Sequence, residues 1–128
     1  MTFTEDLLRH GRRLIGTPYV KDGRDTSIGL DCTGLILEMF KASGVNLPDA
    51  PLKWYGKFER VSPEERASGD LVTLNVAQPG GKEPLFHLGI LTDQRRLLHA
   101  TNAKVGIAET RYPFPGMKVL EYYRYKHD

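Results

Sequence analysis

The chain has 128 residues, of which 40% are hydrophobic and 27% are charged, a composition typical of one soluble globular domain. A single cysteine, Cys32, excludes an intrachain disulfide and a cysteine-rich zinc module. The formal net charge of +2 comes from scattered basic residues, so the composition gives no indication of a nucleic-acid partner. We therefore expect one domain over residues 1–128, with no cofactor and no metal.

The first fifteen residues mix apolar and charged side chains at helical spacing. This pattern predicts a helix over residues 4–15 with Thr4 as N-cap, ended by the sequence Gly16-Thr17-Pro18. The charges leave no apolar stretch long enough for a signal peptide or a membrane span. We therefore expect a chain made in the cytoplasm that is not inserted into a membrane.

A second helix is predicted after a turn-rich loop from Val20 to Leu30. Its sequence is apolar almost all round, with Asp31 in the capping position and Gly44 at its end, which is typical of a buried central helix. The following segment, Leu47 to Glu59, has two prolines and no clear period. We expect it to be irregular, with a helical turn around residues 53–58.

From Leu71 onward the hydrophobic period changes to two, which favours strands. The predicted strands cover residues 71–76, 87–91, 96–100 and 119–125. A tight turn at Asp93-Gln94-Arg95 joins the second of these to the third. Helices followed by strands with short links predict an α+β domain with an antiparallel sheet.

Cys32 lies at the predicted start of the central helix, where free backbone N–H groups and the helix dipole stabilise an anion. A cysteine in such a position can have a pKa lowered from about 8.5 to between about 3.5 and 7.5, which makes it a nucleophile at neutral pH. The alternative is that a free cysteine is simply a small buried hydrophobe.

Two histidines lie on the predicted hairpin around Gln94. Residues whose numbers sum to about 188 face each other across this turn, so His87 and His99 lie within about two residues of being directly opposite one another, and on the same face. A thiolate needs a base, and the base needs an orienting partner, so Cys32, His87 and His99 form a chemically complete set. Two alternatives stay open, namely incidental polar histidines and a zinc site with an open fourth position.

Five short motifs occur in order along the chain: Gly16-Thr17-Pro18-Tyr19, Asp31-Cys32-Thr33-Gly34-Leu35, Gly69-Asp70-Leu71-Val72, His87-Leu88-Gly89-Ile90-Leu91 and Leu98-His99-Ala100. In these motifs the sequence resembles the NlpC/P60 cysteine peptidases, over residues 6 to about 110. The resemblance implies a papain-like α+β fold, with helices packed on a central antiparallel sheet. It also implies cleavage of peptidoglycan stem peptides, typically between D-γ-glutamate and a diamino acid.

The same resemblance implies roles for individual residues. Cys32 matches the nucleophile, His87 the general base and acid, and His99 the polar residue that orients the base. Tyr19 and Asp31 match positions near the subsite that receives the amine end of the stem peptide. For these two residues the alternatives are core packing and a plain helix cap.

Three features depart from the family pattern. Thr33 replaces the serine that usually follows the nucleophile, and its extra methyl group is expected to narrow the substrate pocket. The charged loop Val20 to Asp25 replaces an aromatic residue and paired glycines. The polar segment Ala77 to Pro84 is an insertion expected at the mouth of the site. We expect these differences to affect the bond and substrate chosen rather than the nucleophile.

The resemblance also bears on delivery and partners. Many compact family members belong to phage tails or phage-like particles, which implies tail-tip proteins as partners and action in the periplasm or cell wall. Intracellular trimming of recycled wall fragments is a second route. Two other functions stay open, namely a non-enzymatic tail-tip or assembly protein that keeps the fold, and a thiol-dependent amidase or acyltransferase on another substrate.

Overall fold

A computed structural model describes residues 1–127 and confirms the predicted α+β class. Within that range the fold consists of two helices, two very short strands, and six strands that form one antiparallel sheet. The helices are α1 (Phe3–Arg13) and α2 (Cys32–Ala42). The strands are β1 (Arg24–Asp25), β2 (Gly29–Leu30), β3 (Phe58–Val61), β4 (Leu71–Val76), β5 (Leu85–Asp93), β6 (Arg96–Ala100), β7 (Ile107–Arg111) and β8 (Met117–Tyr125).

The predicted start of α1 at Thr4 is wrong by one or two residues. Thr2 is the N-cap, because its hydroxyl accepts from the Glu5 backbone N–H at 3.0 Å while the Glu5 carboxylate accepts from the Thr2 N–H at 2.9 Å. This reciprocal capping box satisfies two N–H groups that the first turn leaves free. The helix ends at Arg13 rather than at residue 15, with Leu14 as its C-cap.

The six-stranded sheet has the order β3-β8-β4-β5-β6-β7. All four predicted strands are present, but β3 and β7 at the two edges were not predicted. The segment expected to be irregular contains two 3-10 turns, Pro51–Lys53 and Tyr55–Lys57, and then enters β3. The loop expected from Val20 to Leu30 contains the β1–β2 pair. These edge and hairpin strands are short or polar, so pairing with a neighbour decides their conformation.

Both faces of the sheet carry apolar clusters. The helices pack on one face, where α2 contributes four fully buried residues to the main cluster: Leu35, Ile36, Met39 and Phe40. Leu88, Ile90 and Leu98 meet these helices from the sheet. The opposite face has a smaller cluster that includes Leu91 and Leu97. Alternation along β5 and β6 thus assigns even-numbered side chains to the helix face and odd-numbered ones to the other.

The Gly69-Asp70 motif ties the start of β4 to β8. Asp70 is 1% exposed and accepts from the Arg124 guanidinium at 2.8 and 2.9 Å, and also from the Ala67 backbone N–H at 2.8 Å. A buried carboxylate needs such partners because an unpaired one is expensive to desolvate. Over residues 1–127, neither helix is long and apolar enough to cross a membrane.

Candidate active site

Cys32 is the first residue of α2, as predicted, and Asp31 is its N-cap. The Asp31 Oδ1 accepts from the Gly34 backbone N–H at 2.7 Å. Gly34 itself lies directly against the backbone of the preceding loop, since a Cβ on Gly34 would overlap the carbonyl oxygen of Gly23. This close approach fixes the loop against the first turn of α2 and leaves Cys32 half-buried.

The Cys32 sulfur lies where the ladder between β5 and β6 opens. The first residue of β5 that pairs with β6 is Ile90, so residues 85–89 have no partner on β6. The Leu91 N–H donates to the backbone carbonyl oxygen of Asp70, on the β4 side of the strand. Backbone N–H groups point alternately to the two sides of a strand, so the Leu88 N–H points to the β6 side. There the Leu88 amide forms a hydrogen bond with the Cys32 sulfur and not with a neighbouring strand. The thiol thus sits beside the residue that follows His87.

The two predicted histidines are in contact. His87 Nε2 and His99 Nδ1 are 2.9 Å apart, and the observed pairing of Ile90 with Leu98 confirms the predicted sum of 188. By alternation both side chains lie on the sheet face that is turned away from the helices. The Phe114 ring stacks on His99 with centroids 5.4 Å apart and planes 12° apart, which holds the plane of that imidazole.

The second ring nitrogen of His99 also has a partner. His99 Nε2 is 2.8 Å from the Thr110 hydroxyl on β7, so both of its nitrogens are used. His87 uses Nε2 for His99, which leaves its Nδ1 available to another group. The hydrogen bonds described for residues 1–127 include none between Cys32 and His87, so the expected separation of about 3 to 4 Å stays a prediction.

Burial sets the protonation states of these groups. It lowers the pKa of His87 to about 4 and, with the neighbouring His87, that of His99 to about 3, so both imidazoles are neutral at pH 7. Burial also raises the pKa of the Cys32 thiol, against the opposing effect of the Leu88 amide and of Thr33. The predicted lowering of the thiol pKa is therefore wrong, because desolvation of the thiolate outweighs its position at the helix N-terminus.

A neutral thiol has a measurable signature. We expect the rate of Cys32 alkylation by iodoacetamide to rise with an apparent pKa above that of N-acetylcysteine measured under the same conditions, because only the thiolate reacts. Cys32 is the only cysteine, so mass spectrometry of the intact protein reports this one site. An apparent pKa below that of the free thiol would instead indicate a stabilised thiolate.

Asp31 and Thr33 flank Cys32 in the chain, and the backbone of Tyr19 bridges to Leu30, two residues before Cys32. The pKa of Tyr19 is raised by burial first, and then by the negative charges of Cys32 and Asp31. The hydroxyl and amide of Thr33 oppose the rise in the pKa of Cys32. The three predicted substrate-binding residues thus belong to the segments next to Cys32, and Asp31 is a helix cap.

Three contributors at the site were not predicted: Arg24, Thr110 and the Leu88 amide. Arg24 donates to Asp31 Oδ1 at 2.7 Å and to both oxygens of Asp49 at 2.9 and 3.0 Å. It thereby joins the β1–β2 hairpin, the cap of α2 and the segment before the 3-10 turns. The charged loop was noted in the sequence, but no local signal identifies these partners. Within residues 1–127, no group of three or more His, Cys, Asp or Glu side chains is arranged to hold a metal.

Comparison with known proteins assigns the chain to a family. A sequence model of the NlpC/P60 family matches residues 16–124. The chain is 25% identical over 111 residues to the bifunctional muramidase/DL-endopeptidase CwlT of Bacillus subtilis, covering 87% of this chain and 33% of that protein. It is 29% identical over 96 residues to the γ-D-glutamyl-L-lysine dipeptidyl-peptidase of the same organism, covering 75% and 31%. The chain thus spans about a third of the length of either relative.

The fold is also found in solved structures. RipD from Mycobacterium tuberculosis, described as a non-catalytic NlpC/P60 domain protein adapted to peptidoglycan binding, superposes with a TM-score of 0.68 at 19% identity. The superposition covers 97% of both chains. Similarity at this level of identity establishes the fold alone.

Proposed function

The chain belongs to the NlpC/P60 family, and on that basis we propose that it hydrolyses peptidoglycan stem peptides with Cys32 as nucleophile. The proposed bond joins D-γ-glutamate to a diamino acid. The names of the two Bacillus relatives, a DL-endopeptidase and a γ-D-glutamyl-L-lysine peptidase, support this substrate class. The observation that carries the proposal is the free thiol at the N-terminus of α2, which meets the backbone amide of Leu88, the residue that follows His87. His87 in turn contacts His99 at 2.9 Å.

The proposed reaction begins from a neutral thiol and a neutral imidazole. The Cys32 sulfur attacks the carbonyl carbon of the γ-glutamyl bond while its proton passes to Nδ1 of His87. His87 then gives this proton to the leaving amine as the C–N bond breaks, which leaves a thioester on Cys32. A water molecule, deprotonated by His87, hydrolyses the thioester and restores the thiol. His99 keeps the His87 ring in place through the 2.9 Å contact.

The proposal assigns Tyr19 and Asp31 to the end of the site that receives the amine of the stem peptide. Asp31 Oδ1 already accepts from Gly34 and from Arg24, so a substrate ammonium has to share this carboxylate with a guanidinium. Tyr19 is half-buried and its pKa is raised by burial first, so its hydroxyl stays protonated and can donate to the substrate. Thr33 forms the neighbouring wall of the pocket.

Mass spectrometry of muropeptides after incubation with the purified protein tests the proposal. We expect fragments separated by hydrolysis between γ-D-glutamate and the diamino acid. Cys32→Ser should form no products, because a hydroxyl beside a weakly basic imidazole is a far poorer nucleophile than a thiol. Circular dichroism of the variant checks that its fold is unchanged.

A sedimentation assay with insoluble peptidoglycan separates catalysis from binding. If the wild type and Cys32→Ser sediment equally and neither releases products, the chain is a binding module of the kind described for RipD. Cleavage by a folded Cys32→Ser variant would contradict the role of the thiol.

The proposal also includes delivery by a phage tail or phage-like particle, with tail-tip proteins as partners. Detection of the chain in purified particles tests this part of the proposal.

A further inference from the structure

We propose that Thr110 is a positioning residue that fixes the proton on His99 and, through His99, the proton on His87. The proposal rests on the function proposed above, because the proton position on His87 matters for catalysis only if His87 is the general base. Two contacts connect the three residues. Thr110 Oγ1 lies 2.8 Å from His99 Nε2, and His99 Nδ1 lies 2.9 Å from His87 Nε2.

Each neutral imidazole carries one N–H, so the chain of hydrogen bonds has only two possible directions. In the first, His87 Nε2–H donates to His99 Nδ1, and His99 Nε2–H donates to the Thr110 hydroxyl oxygen. His87 Nδ1 is then unprotonated and can accept the thiol proton. In the second, Thr110 donates to His99, His99 donates to His87, and His87 Nδ1 carries a proton. Only the first direction gives a general base.

Thr110 is where this direction is decided. His99 is 5% exposed, so water has little access to its Nε2, and Thr110 supplies the hydrogen bond that this nitrogen makes within residues 1–127. Thr110 itself is half-buried on the edge strand β7, where its own proton can be donated to solvent. The stacked Phe114 ring keeps the imidazole of His99 from turning away. An N–H on Nε2 of His99 therefore has a hydrogen-bond acceptor only while the Thr110 hydroxyl oxygen accepts from it.

The test uses Thr110→Val, which keeps the shape of the side chain and removes the acceptor, and Thr110→Ser, which keeps the hydroxyl. Long-range proton–nitrogen NMR spectra of the histidine-labelled protein report directly which ring nitrogens carry protons. In the wild type we expect Nε2–H on both His87 and His99. In Thr110→Val we expect mixed tautomers, because the hydrogen bond that favours one tautomer of His99 is lost. We also expect a kcat about tenfold lower with little change in KM. Thr110→Ser should restore both.

Thr73→Val is the matched control. Its hydroxyl bonds the Glu121 backbone at 3.1 and 3.3 Å, so the substitution removes comparable hydrogen bonds without touching the histidines. A wild-type spectrum with Nδ1–H on His87, or a Thr110→Val protein with unchanged tautomers, overturns the proposal. If the wild type cleaves no muropeptide while the tautomers shift in Thr110→Val, the proposed function fails and the role of Thr110 in placing the protons stands.

Discussion

His87→Ala should lower the rate of muropeptide cleavage by about a thousandfold, within the range that general acid–base catalysis usually contributes. The expected loss is large because burial raises the pKa of the Cys32 thiol, so little thiolate exists without a nearby proton acceptor. Substrate binding should change much less, since His87 acts on the thiol proton and on the leaving amine. A kcat that falls while KM stays nearly constant would show this difference.

His10→Ala on α1 is a suitable control, because it removes an imidazole of the same size outside the histidine pair. His99→Ala gives an intermediate case. His99 contacts His87 but is not placed to exchange protons with substrate, so we expect a smaller loss, on the order of tenfold to a hundredfold. A folded His87→Ala protein that cleaves at the wild-type rate would show that another group is the base.

The contact between the histidines could be predicted because a tight hairpin is a local feature. A short turn at Gln94 fixes the register of both strands, and the register determines which odd-numbered side chains meet. The position of Cys32 could be predicted equally well, since Asp31 and Gly44 mark the two ends of α2 in the sequence. The correct N-cap of α1 was also present as the spacing of Thr2 and Glu5, which is a capping box.

The rest of the site depends on contacts between distant segments. Thr110 meets His99 only because β7 pairs with β6, and the sequence of β7, with Glu109 and Arg111 beside Thr110, has little strand character of its own. Arg24 reaches Asp49 across a separation of 25 residues in the chain. The raised pKa of Cys32 likewise follows from burial, which helix position alone does not indicate.

The buried histidine pair should also make the protein sensitive to mild acid. In the folded protein the pKa of His87 is about 4 and that of His99 about 3, both below the usual value of 6.5. At pH 5 the unfolded chain therefore binds protons at both histidines while the folded protein binds almost none. Stability rises with pH wherever the unfolded state binds more protons. The stability that depends on the two neutral histidines is therefore complete above pH 6.5, and it is lost as the pH falls towards about 4 for His87 and about 3 for His99.

For two histidines we expect the free energy of unfolding to fall by about 3 kcal/mol between pH 6.5 and pH 5, a large share of the stability of a small domain. Urea titrations at several pH values measure it. This window lies above the range where most carboxylates titrate, and the pKa of Glu109 is lowered to about 2. His87→Gln should reduce the slope of the free energy of unfolding against pH by about half, whereas His10→Gln should leave most of that slope unchanged. A free energy of unfolding that is constant across this window would mean that both histidines titrate in the folded protein as they do in the unfolded chain, which would contradict the lowered pKa values of His87 and His99.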